Sequence, residues 1–211
     1  MTETLIVPGL NGSPAGHWQH HWLESDPRAA LVEQSDWAEP VQADWLHALE
    51  AAIMASRPGV ILVAHSLGCA LVAALAGRPA ASHVGGALLV APADLGALAR
   101  TVPSVAPFAD TVGARLPFAS ILVASRNDPY MSFDGARRCA ATWGSALFDL
   151  GEAGHVNIAS GFGPWPDAET LAGGLRGRPA VVPRPRGRAL PTRRPRPLPR
   201  METPGTGIGL G

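Results

Sequence analysis

The stretch Val60-Ile61-Leu62-Val63-Ala64-His65-Ser66-Leu67-Gly68-Cys69-Ala70-Leu71-Val72 decides the fold. Its first half is a short, uninterrupted apolar run, as expected of a strand covered on both faces. Leu67, Leu71, Val72 and Leu75 then fall at helical spacing, so a strand enters a helix through a tight turn with Ser66 at its tip. This is the G-x-S-x-G nucleophile elbow with Ala64 in place of the first glycine. Small residues at 64 and 68 are needed because neighbouring backbone packs closely around such a turn. At its tip a serine is held in strained geometry, with its hydroxyl above the carboxyl ends of the strands.

A serine hydroxyl is a poor nucleophile near neutral pH, so the elbow implies a histidine base and a carboxylate to orient it. Phe118-Ala119-Ser120-Ile121-Leu122-Val123-Ala124 leads into Ser125-Arg126-Asn127-Asp128-Pro129, which puts Asp128 just beyond a strand end. Ala146-Leu147-Phe148-Asp149-Leu150 leads into Gly151-Glu152-Ala153-Gly154-His155, which does the same for His155. The chain order Ser66, Asp128, His155 is that of α/β hydrolases and differs from the two protease orders. Asp94 and Asp110 are the rival carboxylates, and Asp94 also follows a strand.

The chemistry further needs two backbone N–H groups aimed where negative charge develops. Leu67 follows the nucleophile and should supply one. Leu10, between glycines 9 and 12 in Pro8-Gly9-Leu10-Asn11-Gly12-Ser13, should supply the other. Asn11 and Trp165 are candidate pocket residues, while loop packing is the commoner use of the tryptophans at 18, 22, 37, 45 and 165.

Outward from the elbow, short apolar runs alternate with amphipathic stretches, the pattern of β-α-β units on a parallel sheet. Six strands are expected, over 4–7, 30–34, 60–64, 87–91, 118–124 and 146–150. A helix is expected through Trp45, Leu46, Leu49, Ala52 and Ile53, stopped by Arg57-Pro58-Gly59. The helix after Ser66 should be stopped by Gly77 and Pro79.

A chain of 211 residues that is 46% hydrophobic and 16% charged can bury one substantial core, which excludes a wholly disordered protein. No run approaches the roughly 20 apolar residues of a membrane span. The apolar start Leu5-Ile6-Val7 meets Pro8-Gly9 at once, so no secretory signal is expected. Cys69 and Cys139 are too few for a disulfide framework and form no C-x-x-C pair, which fits a cytoplasmic setting.

Charge divides the chain. Residues 1–175 hold eight arginines against sixteen acidic groups, a net of −8, and residues 176–211 hold nine against one, a net of +8. The first segment reads as one α/β-hydrolase domain and the second as an Arg/Pro-rich disordered tail. Such a tail would meet an acidic protein or a nucleic acid through its charge. It carries no aromatic residue to stack on bases, so a nucleic-acid partner is not expected and a dispensable extension is the preferred reading.

Pro8-Gly9-Leu10-Asn11-Gly12-Ser13, His17-Trp18 with Trp22, Asp36-Trp37, Asp44-Trp45, Ala64 through Cys69, Asn127-Asp128-Pro129-Tyr130, and Gly154-His155-Val156-Asn157 through Ser160-Gly161-Phe162-Gly163-Pro164-Trp165-Pro166 resemble the YdeN-like serine hydrolases. That family of small, lidless α/β hydrolases also includes retinoblastoma-binding protein nine. The resemblance covers about residues 4–175 and implies the triad Ser66, Asp128, His155. It also implies a three-layer fold on a mostly parallel six-stranded sheet, minimal and without the first two strands of larger relatives. The Arg/Pro tail lies outside the family pattern.

Blander readings stand beside these. Ser66 alone would serve as a helix N-cap, and Asp128 before Pro129 as turn chemistry. His17, His20 and His21 share a helical face, but lack an HExxH pattern or an acidic partner at metal-ligand spacing, so no metal is expected. His65 should point away from the serine and pack, and Cys69 should be a small buried residue. The function expected is cleavage of a small-molecule acyl substrate through an acyl-enzyme, without cofactor. A carboxylic ester is the first choice, with thioesters and amides as chemical equivalents. The alternative is a non-catalytic protein-binding module on the same scaffold.

Overall fold

The computed structural model describes residues 1–110 and 113–176. Six strands, β1 (Thr4–Val7), β2 (Ala29–Leu31), β3 (Val60–His65), β4 (Val84–Val90), β5 (Ser120–Ala124) and β6 (Ala146–Asp149), form one sheet in the order β2-β1-β3-β4-β5-β6. All five pairings are parallel. Helices α1 (Trp18–Ser25), α2 (Gln42–Ala55), α3 (Leu67–Ala73), α4 (Leu95–Leu98), α5 (Ala106–Ala109), α6 (Phe133–Trp143) and α7 (Pro166–Gly173) make the connections and the C-terminal cover.

The period-2 alternation of strand side chains feeds two cores. Leu5, Val7, Leu62, Ala64, Ala87, Leu89, Leu122 and Ala124 pack with α2, α3 and α6. Ile6, Ile61, Val63, Leu88, Val90, Ile121 and Val123 pack with α1 and α7. The result is the three-layer α/β-hydrolase architecture. Its central strands read as continuous apolar runs because neither face meets water. No helix among the described residues is long and apolar enough to cross a membrane.

Two strand boundaries differ instructively from the expected ones. β4 begins at Val84, three residues early, because Gly85 and Gly86 hide the apolar pattern. A side chain at Gly85 would strike the carbonyl of Gly59, and one at Gly86 would come within 3.1 Å of the Ala119 carbonyl oxygen. Close backbone approach therefore demands glycine inside this strand. β2 stops at Leu31 rather than Gln34; it is the half-buried edge of the sheet and, among the described residues, pairs only with β1.

Polar anchors tie the layers where the site is built. The buried Gln19 side chain donates to the Val63 carbonyl at 2.9 Å, fixing α1 to β3. Trp18 Nε1 donates to the Val156 carbonyl at 2.9 Å. At the far edge, Arg176 donates to Glu3 at 2.7 Å and to Thr4 Oγ1 at 2.6 Å, so this residue, placed by composition at the start of the tail, is bound to β1. The rest of that segment, 177–211, lies outside the described residues.

Candidate functional site

From β1 the chain turns one way to β2 and then the other way to β3. In an open parallel sheet such a reversal leaves a crevice beyond the carboxyl ends of the two strands. The loop after β1 and the turn after β3 meet there. A side chain on Gly9 would lie 2.8 Å from Ser66 Cβ and 3.1 Å from the Leu67 nitrogen. On the other side, one on Gly68 would strike the carbonyl oxygens of Val7 and Pro8. Both glycines are required by this contact, one on each partner.

Ser66 has φ 55° and ψ −121°, a conformation L-residues rarely adopt, and it makes no side-chain cap bond to α3. The capping role open to it in sequence is therefore not the one it plays. Its hydroxyl lies 3.0 Å from His155 Nε2. His155 Nδ1 lies 3.0 Å and 2.9 Å from the two Asp128 carboxylate oxygens. A carboxylate can only accept, so Nδ1 carries the proton and Nε2 accepts from the serine. The side chains of His155 and Asp128 are only 8% and 2% exposed, which keeps water from competing for this pair.

Each member is held by its own loop. Asp128 Oδ1 accepts from the Tyr130 N–H at 2.8 Å, closing an Asx turn over Pro129. The next residue back ties this loop to the histidine loop: Asn127 Oδ1 accepts from the Gly154 N–H at 2.7 Å. Beneath it, Ser125 Oγ accepts from the Ala153 N–H at 2.9 Å. The His155 N–H donates to Ser160 Oγ at 3.0 Å, and that hydroxyl donates to Asn157 Oδ1 at 2.9 Å. Val156 follows at φ 50°, a rare value for a β-branched residue, and is fully buried.

In the first loop, the Gly12 N–H donates to the Gly9 carbonyl at 3.0 Å, with Asn11 at φ 64°. This four-residue turn uses its outer groups and leaves the N–H of Leu10 to one side. The Leu67 N–H is the first of α3 and has no helical acceptor. Among the described residues, no backbone carbonyl accepts from either.

Leu10, Asn11, Ser66, Ala93, Tyr130 and His155 face one open cavity of about 420 Å³. Trp165, expected as a pocket candidate, is elsewhere: at the N-cap of α7, its ring packs edge-on against Trp18 at 5.4 Å and Phe162 at 5.4 Å. Asp94, one of the rival carboxylates, caps α4 through Ala97 N–H at 3.0 Å and faces a separate hollow of about 430 Å³. Tyr130, quoted in the family motif but given no role by the sequence reading, sets its ring edge against His155 at 4.6 Å.

His17, His20 and His21 do not converge. His17 is the N-cap of α1, its Nδ1 accepting from the Gln19 N–H at 3.2 Å, while His20 and His21 lie 3.5 Å and 3.3 Å from Glu24. Burial, with the neighbouring His155 and His20, pushes the His17 imidazole down to about 4. His65 is buried with its ring 5.0 Å from His17 and 4.9 Å from His155, and burial holds its pKa well below the usual histidine range. Both are neutral at physiological pH. Cys69 is fully buried behind the elbow, which pushes its thiol far up and makes it inert.

The serine hydrolase family model matches residues 4–173. YdeN of Bacillus subtilis (strain 168) is 23% identical over 173 residues, 76% of this chain and 88% of YdeN. Among solved structures, a YdeN-like protein from Pectobacterium atrosepticum is 32% identical with a TM-score of 0.72, covering 82% of this chain and 90% of that one. The fold, without close sequence similarity, is also that of Est1E from Butyrivibrio proteoclasticus, with a TM-score of 0.60 at 12% identity, covering 83% of this chain and 87% of that one.

Proposed function

Because this chain belongs to the YdeN-like serine hydrolases, we propose that it cleaves small carboxylic esters through an acyl-enzyme, with Ser66 as nucleophile, His155 as base and Asp128 as its orienting carboxylate. The observation that carries this is the unbroken line from Ser66 Oγ through His155 to Asp128, at 3.0 Å and 2.9 Å, with the serine in strained elbow geometry.

In the acylation step Ser66 Oγ attacks the ester carbonyl carbon while its proton passes to His155 Nε2. The carbonyl oxygen becomes an anion, to be received by the N–H groups of Leu10 and Leu67, a role supported by their lack of a backbone acceptor among the described residues. Asp128 stabilises the imidazolium and keeps Nδ1 protonated throughout. Collapse of the tetrahedral intermediate breaks the ester C–O bond, and the leaving alcohol takes the proton from Nε2. Water then repeats the sequence on the acyl-serine, releasing the acid and restoring Ser66. A thioester or amide would follow the same path with a different leaving group. No step calls for a metal or a cofactor.

The family match over residues 4–173 supports assigning the chemistry to the first segment, 1–175. The free thiols of Cys69 and Cys139 fit a reducing, cytoplasmic setting.

Fluorophosphonates react with activated serines, so labelling the purified protein and locating the adduct by mass spectrometry tests the reading. Modification at Ser66 is expected. A folded protein that stays unlabelled would instead favour a binding module on a hydrolase scaffold.

A further inference from the structure

The cavity beside Ser66 has a lining that speaks to substrate class. It is formed by Leu10, Asn11, Gly12, Pro14, Ala93 and Leu98, together with His17, His65, His155, Tyr130 and the run 157–159. Among the described residues no Asp, Glu or Arg contributes to it, and the chain has no lysine. The nearest carboxylate in the chemistry, Asp128, is covered by His155 and held by the Tyr130 N–H. His17 and His65, the two further imidazoles in the wall, are kept neutral by burial.

The rim adds apolar surface beside the polar side chains of Asn11 and Asn157. Few large hydrophobic side chains of the described residues are exposed, and two of them, Tyr130 at 53% and Ile158 at 47%, stand at this cavity. Tyr130 flanks the acid loop and Ile158 the histidine loop, so the pair brackets His155 from either side in sequence. Exposed apolar side chains gathered at a concave site mark the place where an apolar group is received.

From this lining we infer that the site takes esters whose acyl group is uncharged and apolar, received between Tyr130, Ile158 and Leu98, and rejects acyl groups that carry a carboxylate. The inference rests on the hydrolase reading above and deepens it. Its physical basis is asymmetric. An apolar acyl chain gains by leaving water against these side chains. A carboxylate in the same place would lose hydration with no cation among the described lining residues to replace it. The cavity volume, about 420 Å³, holds a short chain or a single ring rather than a long lipid tail.

The test compares p-nitrophenyl valerate with mono-p-nitrophenyl glutarate, which replaces the terminal methyl of the same chain with a carboxylate. Valerate should be preferred by about a hundredfold in kcat/KM, the order expected when a charge is desolvated without a partner. In Ile158→Arg, an exposed position that tolerates a long cation, the preference should shrink by about tenfold or more as the guanidinium meets the carboxylate. Equal turnover of the two esters by a wild-type protein whose Ser66 accepts the fluorophosphonate would overturn the inference and leave the hydrolase reading standing. So would an Ile158→Arg variant with unaltered preference. Failure of Ser66 to label would remove the hydrolase reading itself, and this inference with it.

Discussion

His65 Nε2 lies 2.9 Å from the main-chain carbonyl oxygen of His155, ninety residues further along the chain. A carbonyl only accepts, so His65 donates from Nε2 and is fixed in that tautomer. The residue before Ser66 thus grips the backbone of His155. On the other side of the same residue, the His155 N–H is held by Ser160. The imidazole that must face both Ser66 and Asp128 is therefore located by bonds to its own peptide groups, as well as by its ring.

His65→Leu should lower kcat by about 10- to 100-fold with KM little changed, because loss of the donor frees the His155 loop and leaves a buried carbonyl without its partner. His65→Gln, which keeps an N–H within reach, should recover most of the loss. A purely packing role predicts the opposite order, since leucine fills the apolar surroundings better than glutamine. Steady-state kinetics of the two variants, with melting temperatures beside them, distinguish these outcomes.

Ser66→Ala should abolish ester turnover and fluorophosphonate labelling while leaving the melting temperature near that of the parent. The hydroxyl is the group to be acylated, and alanine removes one bond to His155. His155→Ala should be nearly as damaging. The double variant should be little slower than either single one, since groups acting as a unit lose their effect together. Double-variant kinetics much below both single variants would mean that the two residues act separately.

Asp128→Asn should keep the fold and reduce kcat by roughly 10²- to 10⁴-fold, because an amide no longer stabilises the imidazolium or selects its tautomer. Asp94→Asn should leave kcat close to normal, as Asp94 Oδ1 is occupied by the Ala97 N–H and asparagine is an equally good cap. Paired measurement of the two variants decides which carboxylate serves His155.

The convergence of Ser66, Asp128 and His155 was legible in sequence because each follows an apolar run, and a parallel sheet carries all such ends to one edge. Two glycines masked the start of β4, since their use there is close approach to other backbone, a relation no local pattern records. Trp165 and Tyr130 show the same limit from opposite sides. Both are aromatic residues in loops near a triad member, yet one packs on Trp18 and the other stands at the cavity. Helix α6 combines a Ser132 cap with a left-handed Gly144 end, and these signals were present but weakly apolar. The partner of His65 was beyond reach, because it depends on where a loop ninety residues away comes to rest.

Acid should destabilise the protein through its buried imidazoles. His17 has an ordinary pKa of 6.5 when unfolded and about 4 when folded. Above 6.5 it is neutral in both states and contributes no pH dependence. As pH falls from 6.5 toward 4 the unfolded chain takes up a proton that the folded chain refuses, so stability drops by up to about 1.4 kcal/mol per pH unit. His65, also held low by burial, adds in the same direction. His17→Asn keeps a capping side chain on α1 and cannot titrate. Urea unfolding of this variant should show a shallower loss than the parent across that window, and parallel curves would rule out His17 as a source.

Gly68→Ala tests the contact on which the site is assembled. The added methyl would meet the carbonyl oxygens of Val7 and Pro8, which are backbone and cannot rotate aside. The helix must then move off the β1 loop, and that loop carries Leu10. Stability should fall by about 1–3 kcal/mol, the usual cost of overpacking. The catalytic loss should be larger than the stability loss implies, because the Leu10 N–H would retreat from the Ser66 oxyanion site. Missing one such donor typically costs roughly 10²- to 10³-fold in kcat. Kinetics below the melting transition separate the two effects. A variant that melts lower yet turns over at the parental rate would show that Leu10 is not a donor in the reaction.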